Sequence, residues 1–97
     1  MKIELSTRIR EKLHDKHGVT VKELYECFEN RTGRDLFDTR AEHQTDPRTR
    51  WFLAHTNHQR LLKVVFVPNV SGKGVRVKTA YEPNPVEVKI YKEHGWG

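Results

Sequence analysis

The chain has 97 residues, of which 32% are charged and 35% apolar, and its formal net charge is +5. This length fits one domain over residues 1–97 with one modest core, which excludes a second catalytic domain. Cys27 is the only cysteine, which excludes an intramolecular disulfide and a cysteine-based zinc site. We expect a soluble cytoplasmic protein, because no apolar run approaches the roughly 20 residues of a membrane span and no signal region is recognisable.

The positive charge is concentrated in the second half of the chain. Residues 1–47 hold nine Lys or Arg and ten Asp or Glu, whereas residues 48–97 hold nine and three. Asp46 and Glu82 bracket a stretch that contains seven cations and no acid. Such asymmetry is typical of a surface that meets nucleic acid, an acidic partner or a membrane, although a merely soluble basic surface has the same composition.

Two helices are predicted in the first third of the chain. Ser6 is placed to cap a helix over residues 7–17, and the glycine that follows is placed to end it. Thr20 and Glu23 have the spacing of a capping box in front of a helix over residues 21–30. Apolar residues recur at helical spacing in this second segment, so it is predicted to pack on the core.

The middle of the chain predicts an antiparallel sheet. Residues 35–39 are a candidate short edge strand, and the polar residues 40–47 are predicted to be a loop. Stronger strand patterns cover residues 51–54, 61–67 and 75–81, with short connections that favour a meander. The middle strand barely alternates, so we expect it to be central and covered on both faces.

The strand over residues 75–81 does alternate, which predicts two different faces. One face is expected to pack on the helices and to consist of Val75, Val77, Thr79 and Tyr81. The open face is expected to carry Lys63 of the neighbouring strand together with Arg76, Lys78 and Ala80. Whether His55 joins them depends on the hairpin turn, because a slip of one residue swaps the faces.

A last helix is predicted from residue 85. Asn84 is its N-cap, Pro85 takes the first helical position, and Glu87 stands where the acid of a capping box belongs. Its apolar side is predicted to consist of Val86, Ile90 and Tyr91. The predicted fold class is therefore α+β, with a small antiparallel sheet of three or four strands, two N-terminal helices and one C-terminal helix.

These segments resemble those of a known family. Residues 16–19 read Lys-His-Gly-Val and are similar to the step between the first two helices of BrnT-type toxins. Residues 62–66 and 75–80 resemble the paired strands before the last helix of that family. BrnT toxins belong to the RelE-like group (RelE/ParE superfamily), the ribonuclease toxins of bacterial toxin–antitoxin pairs. The chain departs from the family in its last helix, where Lys89 and Lys92 are balanced by acids.

The resemblance implies an RNA-cleaving toxin that needs no metal. In this chemistry the 2′-hydroxyl attacks the adjacent phosphorus and the 5′-oxygen leaves. The reaction needs a base for the hydroxyl, cations for the phosphate and an acid for the leaving oxygen. The implied partners are RNA and a cognate antitoxin protein, whose acidic segment would cover the basic sheet face, and the ribosome is a further candidate.

The resemblance carries over the types of the catalytic residues and not their positions. We assign the catalytic roles to six residues of the predicted sheet and its turns: His55, His58, Arg60, Lys63, Lys78 and Tyr81. Further RNA contacts are assigned to Arg48, Arg50, Lys73 and Arg76. The cations would clamp the phosphate, a histidine would be the base or the acid, and the tyrosine would donate to the leaving oxygen.

Each assignment has a structural alternative. Cations on a strand face are usually solvated. His58 lies in a turn, and Tyr81 shares its predicted face with Val77. Glu82 is either a base or a residue that precedes a helix for local reasons.

Other kinds of site have less support. His14 and His17 are three residues apart but form no tight ligand set, so we predict no metal and no cofactor. Residues 71–74 join two strands and not a strand to a helix, which disfavours a phosphate-binding loop. Cys27 lies on the apolar side of a predicted helix and is expected in the core.

A second functional class explains the same pattern. A non-catalytic module would bind RNA, DNA or an acidic protein with the basic sheet and would need no group for proton transfer. The two classes differ in whether such a group lies among the cations.

Overall fold

The computed structural model describes residues 1–39, 47–70 and 73–97. Its elements follow the chain in the order β1 (Ile3–Glu4), α1 (Thr7–Lys12) with a π-helical turn (Leu13–His17), α2 (Val21–Asn30), β2 (Leu36–Phe37), β3 (Arg50–His55), β4 (Leu61–Pro68), β5 (Val75–Tyr81) and α3 (Pro85–His94). The predicted α+β class is confirmed, with five strands in the sheet. The loop predicted for residues 40–47 lies outside the described residues except at Pro47, and the connection between β4 and β5 does so at residues 71–72.

The two N-terminal helices begin and end where the sequence predicts. The hydroxyl of Ser6 accepts from the amide of Ile9 at 3.1 Å, and Gly18 ends the π-helical turn with a φ of 61°. That turn was not predicted. The amides of Thr20 and Glu23 each donate to the side chain of the other, at 3.1 and 3.2 Å, so the predicted capping box is confirmed.

The second helix packs on the sheet through its buried face. The ring of Phe28 meets those of Phe52 and Phe66 edge-on, with centroids 4.9 and 5.4 Å apart. Cys27 is completely buried beside it, and burial raises the pKa of its thiol to about 12. The thiol is therefore a core group, as the sequence predicts, and not a nucleophile.

The sheet has the strand order β1-β5-β4-β3-β2. The predicted meander is confirmed, because β3 to β5 pair antiparallel and β2 is an edge strand. Strand β1 was not predicted from the sequence, and it pairs parallel with β5. Strand β1 has only two residues, which are too few to show the alternating sequence pattern that predicts a strand. The β3–β4 turn has a positive φ at Gln59 (67°).

A β-bulge in the fifth strand overturns the predicted faces. Val77 pairs with Phe66, whereas Thr79 pairs with Val65, so Lys78 is the extra residue. After an inserted residue the alternation of side chains reverses. Thr79 and Tyr81 therefore share the face of Lys63, which is opposite to the face of Val75 and Val77. Arg76 pairs with Val67 and so shares the face of Lys63, as predicted, but Lys63 is buried there, so the predicted open face does not include it.

The last helix is capped as predicted but turned differently. The amides of Asn84 and Glu87 donate to the side chain of the other at 3.0 and 2.8 Å. Val86 and Ile90 are 65% and 40% exposed, so they do not form its inner side as predicted. Tyr91 is buried, because its ring packs between the two tryptophans at centroid distances of 5.6 and 4.9 Å. Within the described residues, none of the helices is long and apolar enough to cross a bilayer.

Candidate functional site

Two of the predicted catalytic residues meet under α3. Lys63 and Tyr81 are cross-strand partners, because the bulge at Lys78 brings Tyr81 to the face on which Lys63 lies, under the last helix. The ammonium nitrogen of Lys63 lies 2.6 Å from Oε2 of Glu87, and the hydroxyl of Tyr81 donates to the same oxygen at 2.8 Å. The sequence indicated Glu87 only as a capping residue. Its role as the shared partner of Lys63 and Tyr81 depends on the β-bulge at Lys78, which no local sequence pattern predicts.

Burial and hydrogen bonds set the protonation states of two members of this cluster, Glu87 and Tyr81. Burial raises the pKa of Glu87, but the hydrogen bonds from Lys63, the Asn84 amide and Tyr81 outweigh it and hold the pKa below its ordinary value. Burial, with the bond to Glu87, raises the pKa of Tyr81. Glu87 is thus a carboxylate and Tyr81 a neutral donor. Lys63 is 6% exposed, with its ammonium 4.6 Å from the ring centroid of Trp51.

One histidine that the sequence did not assign reaches the same region. The ring of His17 lies 5.7 Å from that of Tyr81, centroid to centroid. Burial, and after it the charges of Lys16 and Lys12, lowers the pKa of His17, which keeps the imidazole neutral. The resemblance pointed to the segment that contains His17, but gave this residue no role.

Arg60 is engaged inside the protein and does not extend towards solvent as the predicted clamp requires. Its guanidinium donates to the carboxylates of Glu23 and Glu82 at 3.1–3.3 Å. It also donates to the carbonyl oxygens of His17 and Gly18, each at 2.9 Å. Arg60 therefore ties the β3–β4 hairpin to the start of α2 and to the end of β5.

The two predicted catalytic histidines lie away from the Lys63 cluster. His55 ends β3 opposite Leu61, and His58 lies in the turn that follows; both are exposed. Neither ring takes part in a side-chain hydrogen bond or ring contact with another described residue. The structure therefore leaves both histidines at the hairpin, apart from Lys63, Lys78 and Tyr81.

The predicted RNA-binding residues lie at the other end of the sheet. Because β3, β4 and β5 are antiparallel, β3 and β5 both start where β4 ends. Four cations flank these strand starts, and we call this region the basic end: Arg48, Arg50, Lys73 and Arg76. The turn with His58 lies roughly 23 Å away, the length of the eight-residue strand β4.

A groove runs from the basic end between β1, α1 and β5. Its volume is about 680 Å³, and four exposed cations line it: Lys2, Arg10, Arg76 and Lys78. We call it the basic groove. Among the described residues that line it, Glu4 is the only acid, and its carboxylate lies 3.6 Å from the guanidinium of Arg76. Arg76 and Lys78 also line a second groove of about 230 Å³, beside Pro47 and the last residue of β4, Pro68.

Two cations of the basic groove, Lys2 and Arg10, were given no role in the sequence analysis. Lys2 and Arg10 belong to the acid-rich half of the chain, so composition drew no attention to them. They reach the groove because β1 pairs with β5, and because α1, which begins directly after its N-cap Ser6, lies beside these two strands. No group of three or more potential metal ligands occurs in the part of the chain that the structure describes.

Comparison with known proteins adds no family. Neither a scan against models of protein families nor a search of the curated proteins gave a match to this chain. The resemblance to BrnT-type toxins therefore rests on residues 16–19 and on the two paired strands.

Proposed function

We propose that the protein binds RNA through the basic groove. The observation that carries the proposal is the position of Arg76 and Lys78, which line both adjoining grooves and are exposed. Lys2 and Arg10 extend the positive surface across the larger groove. Among the described residues that line this groove, Glu4 is the only acid, and it pairs with Arg76. The other three cations therefore have no further acid among those lining residues to balance their charge.

A polyanion is the ligand that such a surface favours. Each phosphate neutralised by a Lys or Arg releases condensed counterions, which makes binding favourable and dependent on salt. Acidic protein and DNA offer the same charge. RNA is favoured here by the resemblance to RNA-cleaving toxins, whose order of two helices, antiparallel meander and last helix is also the order that follows β1 in this chain.

The experiment compares two exposed lysines with the same change of charge. Lys78→Ala removes a cation of the basic groove, whereas Lys89→Ala removes one on the outer side of α3. We expect Lys78→Ala to weaken binding to a 20-nucleotide RNA several-fold and to reduce the salt slope by about 1, because one phosphate contact is lost. Fluorescence anisotropy over a series of salt concentrations measures both quantities.

The outcomes separate the possible ligands. Equal losses for the two variants would mean that only net charge matters, and would contradict a specific groove. Tighter binding of DNA or of an acidic peptide than of RNA would replace RNA as the ligand while keeping the groove.

RNA cleavage is a second candidate, and the cluster of Lys63, Tyr81 and Glu87 favours it. A carboxylate, a neutral phenol and an ammonium group are the kinds of base, acid and cation that the reaction needs. In the described structure these groups satisfy one another, so cleavage would require α3 to move away from Lys63. For this reason RNA binding is the primary proposal. An RNA-cleaving toxin that a cognate antitoxin keeps inactive is the second.

Expression of the chain alone in bacteria, followed by mapping of RNA ends, distinguishes the two candidates. A cleaving toxin arrests growth and creates new RNA ends, and Tyr81→Phe with Glu87→Gln abolishes them. Binding without new ends would leave the non-catalytic module as the function.

A further inference from the structure

We propose that Phe37 and Arg48 form a stacking site for an unpaired base, so that the RNA bound at the basic end is single-stranded there. This inference rests on the proposed RNA binding and specifies its substrate class. It concerns two residues outside the basic groove, Phe37 on the opposite edge strand β2 and Arg48 just before β3, to which the sequence analysis gave no stacking role. Phe37 itself was not a candidate.

The ring of Phe37 is open to solvent in a way that packing does not explain. Leu36 turns towards the core, whereas Phe37 is 49% exposed on the edge strand β2. An aromatic face at the rim of a basic surface is the feature on which single-stranded nucleic acids stack their bases. Guanidinium planes stack bases in the same way.

Two guanidinium groups already use this ring. The Cζ atoms of Arg48 and Arg50 lie 4.4 and 5.2 Å from its centroid. The Nε of Arg50 is buried and has no hydrogen-bond partner, so no bond at Nε competes with the contact to the ring. Arg48 is exposed and can carry a base on its outer plane or give way to one.

The sheet places this site within reach of the groove cations. Phe37 pairs with Arg50, Arg50 with Phe66, and Phe66 with Val77, the neighbour of both Arg76 and Lys78. Three strand spacings separate Phe37 from Val77, which is roughly 14 Å. Phe37 lies on the face of Val77, whereas Arg76 points to the opposite face, so one RNA strand passing over this end of the sheet would contact the groove cations with its phosphates and Phe37 with a base.

The test compares Phe37→Leu with the unmodified protein on two RNAs, a single strand and a duplex of the same sequence. Leucine keeps the apolar bulk but removes the aromatic face. We expect Phe37→Leu to weaken single-strand binding by about 5- to 100-fold, the range for one lost base stack, and to leave duplex binding and the salt slope unchanged. Phe37→Trp, which keeps an aromatic face, is expected to retain the affinity. A 2-aminopurine base in the single strand reports stacking directly through quenching.

Failure of this inference is distinguishable from failure of the proposed function. If Phe37→Leu binds the single strand as tightly as the unmodified protein while Lys78→Ala still weakens it, the stacking site is wrong and the basic groove stands. Equal losses on single strand and duplex would also overturn the stacking site. If the unmodified protein binds neither RNA, the proposed function fails and the stacking site fails with it.

Discussion

Residues of the same type have different roles in this protein, because their burial differs. Lys63 and Lys78 are both lysines of the acid-free stretch, and the sequence assigned both to one clamp. Lys63 is enclosed by Trp51, Tyr81 and Glu87, whereas Lys78 stands exposed at a bulge. A buried lysine needs its counter-charge, whereas an exposed one is available to a ligand.

The ion pair of Lys63 and Glu87 is predicted to hold α3 on the sheet. Removing one partner leaves a poorly solvated charge, so Lys63→Met and Glu87→Gln are each expected to lower the free energy of unfolding by about 2–3 kcal/mol. The double variant leaves neither charge and is expected to lose less than the sum, with a coupling of about 1 kcal/mol or more. Urea denaturation of the four proteins measures this; additive losses would show that the pair does not stabilise the fold.

The same pair predicts a dependence of stability on pH. The folded-state pKa of Glu87 lies below its ordinary value of 4.5, so the unfolded chain binds that proton more tightly. The stabilisation is therefore complete well above pH 4.5 and is lost as the pH falls through the lowered folded-state pKa. We expect the difference in stability between the protein and Glu87→Gln to shrink on acidification. Glu93→Gln, at an exposed carboxylate of the same helix, is the control and is expected to show no such difference.

At the scale of elements, local rules determined what the sequence could predict. Both capping boxes form where two residues three apart specify them, and the alternation of the last strand holds as far as Val77. Beyond that point the extra residue Lys78 reverses the faces, and nothing in its neighbours marks it. The orientation of α3 was missed for a related reason. It depends on Glu87 and Tyr91 meeting residues of distant strands, which no helical periodicity contains.

Strand β1 was also beyond local prediction, and a glycine makes its pairing testable. Gly74 has a φ of 75°, and a Cβ there would lie 2.1 Å from the carbonyl oxygen of Lys2. Gly18 has a similar φ of 61°, but a Cβ there would meet nothing within 4 Å. We expect Gly18→Ala to cost about 1–2 kcal/mol from its backbone conformation alone, and Gly74→Ala to cost clearly more. Equal changes in thermal stability would contradict the close approach of β1.

At the scale of the whole molecule, the sheet separates the two sets of residues that the sequence treated as one site. The candidate RNA contacts gather at the basic end, whereas Arg60 and the two histidines lie at the hairpin and Lys63 lies under α3. Composition correctly predicted that one surface carries positive charge, but strand pairing determines which cations lie together on that surface. Two cations of the basic groove, Lys2 and Arg10, belong to the acid-rich half of the chain and are brought there by β1 and α1.

The most direct test of this account is a titration of isotopically labelled protein with single-stranded RNA, followed residue by residue by NMR. We predict that the amide signals of Arg76, Lys78 and Arg10 move with increasing RNA, while those of Asn57 and His58 at the hairpin stay in place. Changes concentrated at the hairpin, with the basic groove unaffected, would contradict the account.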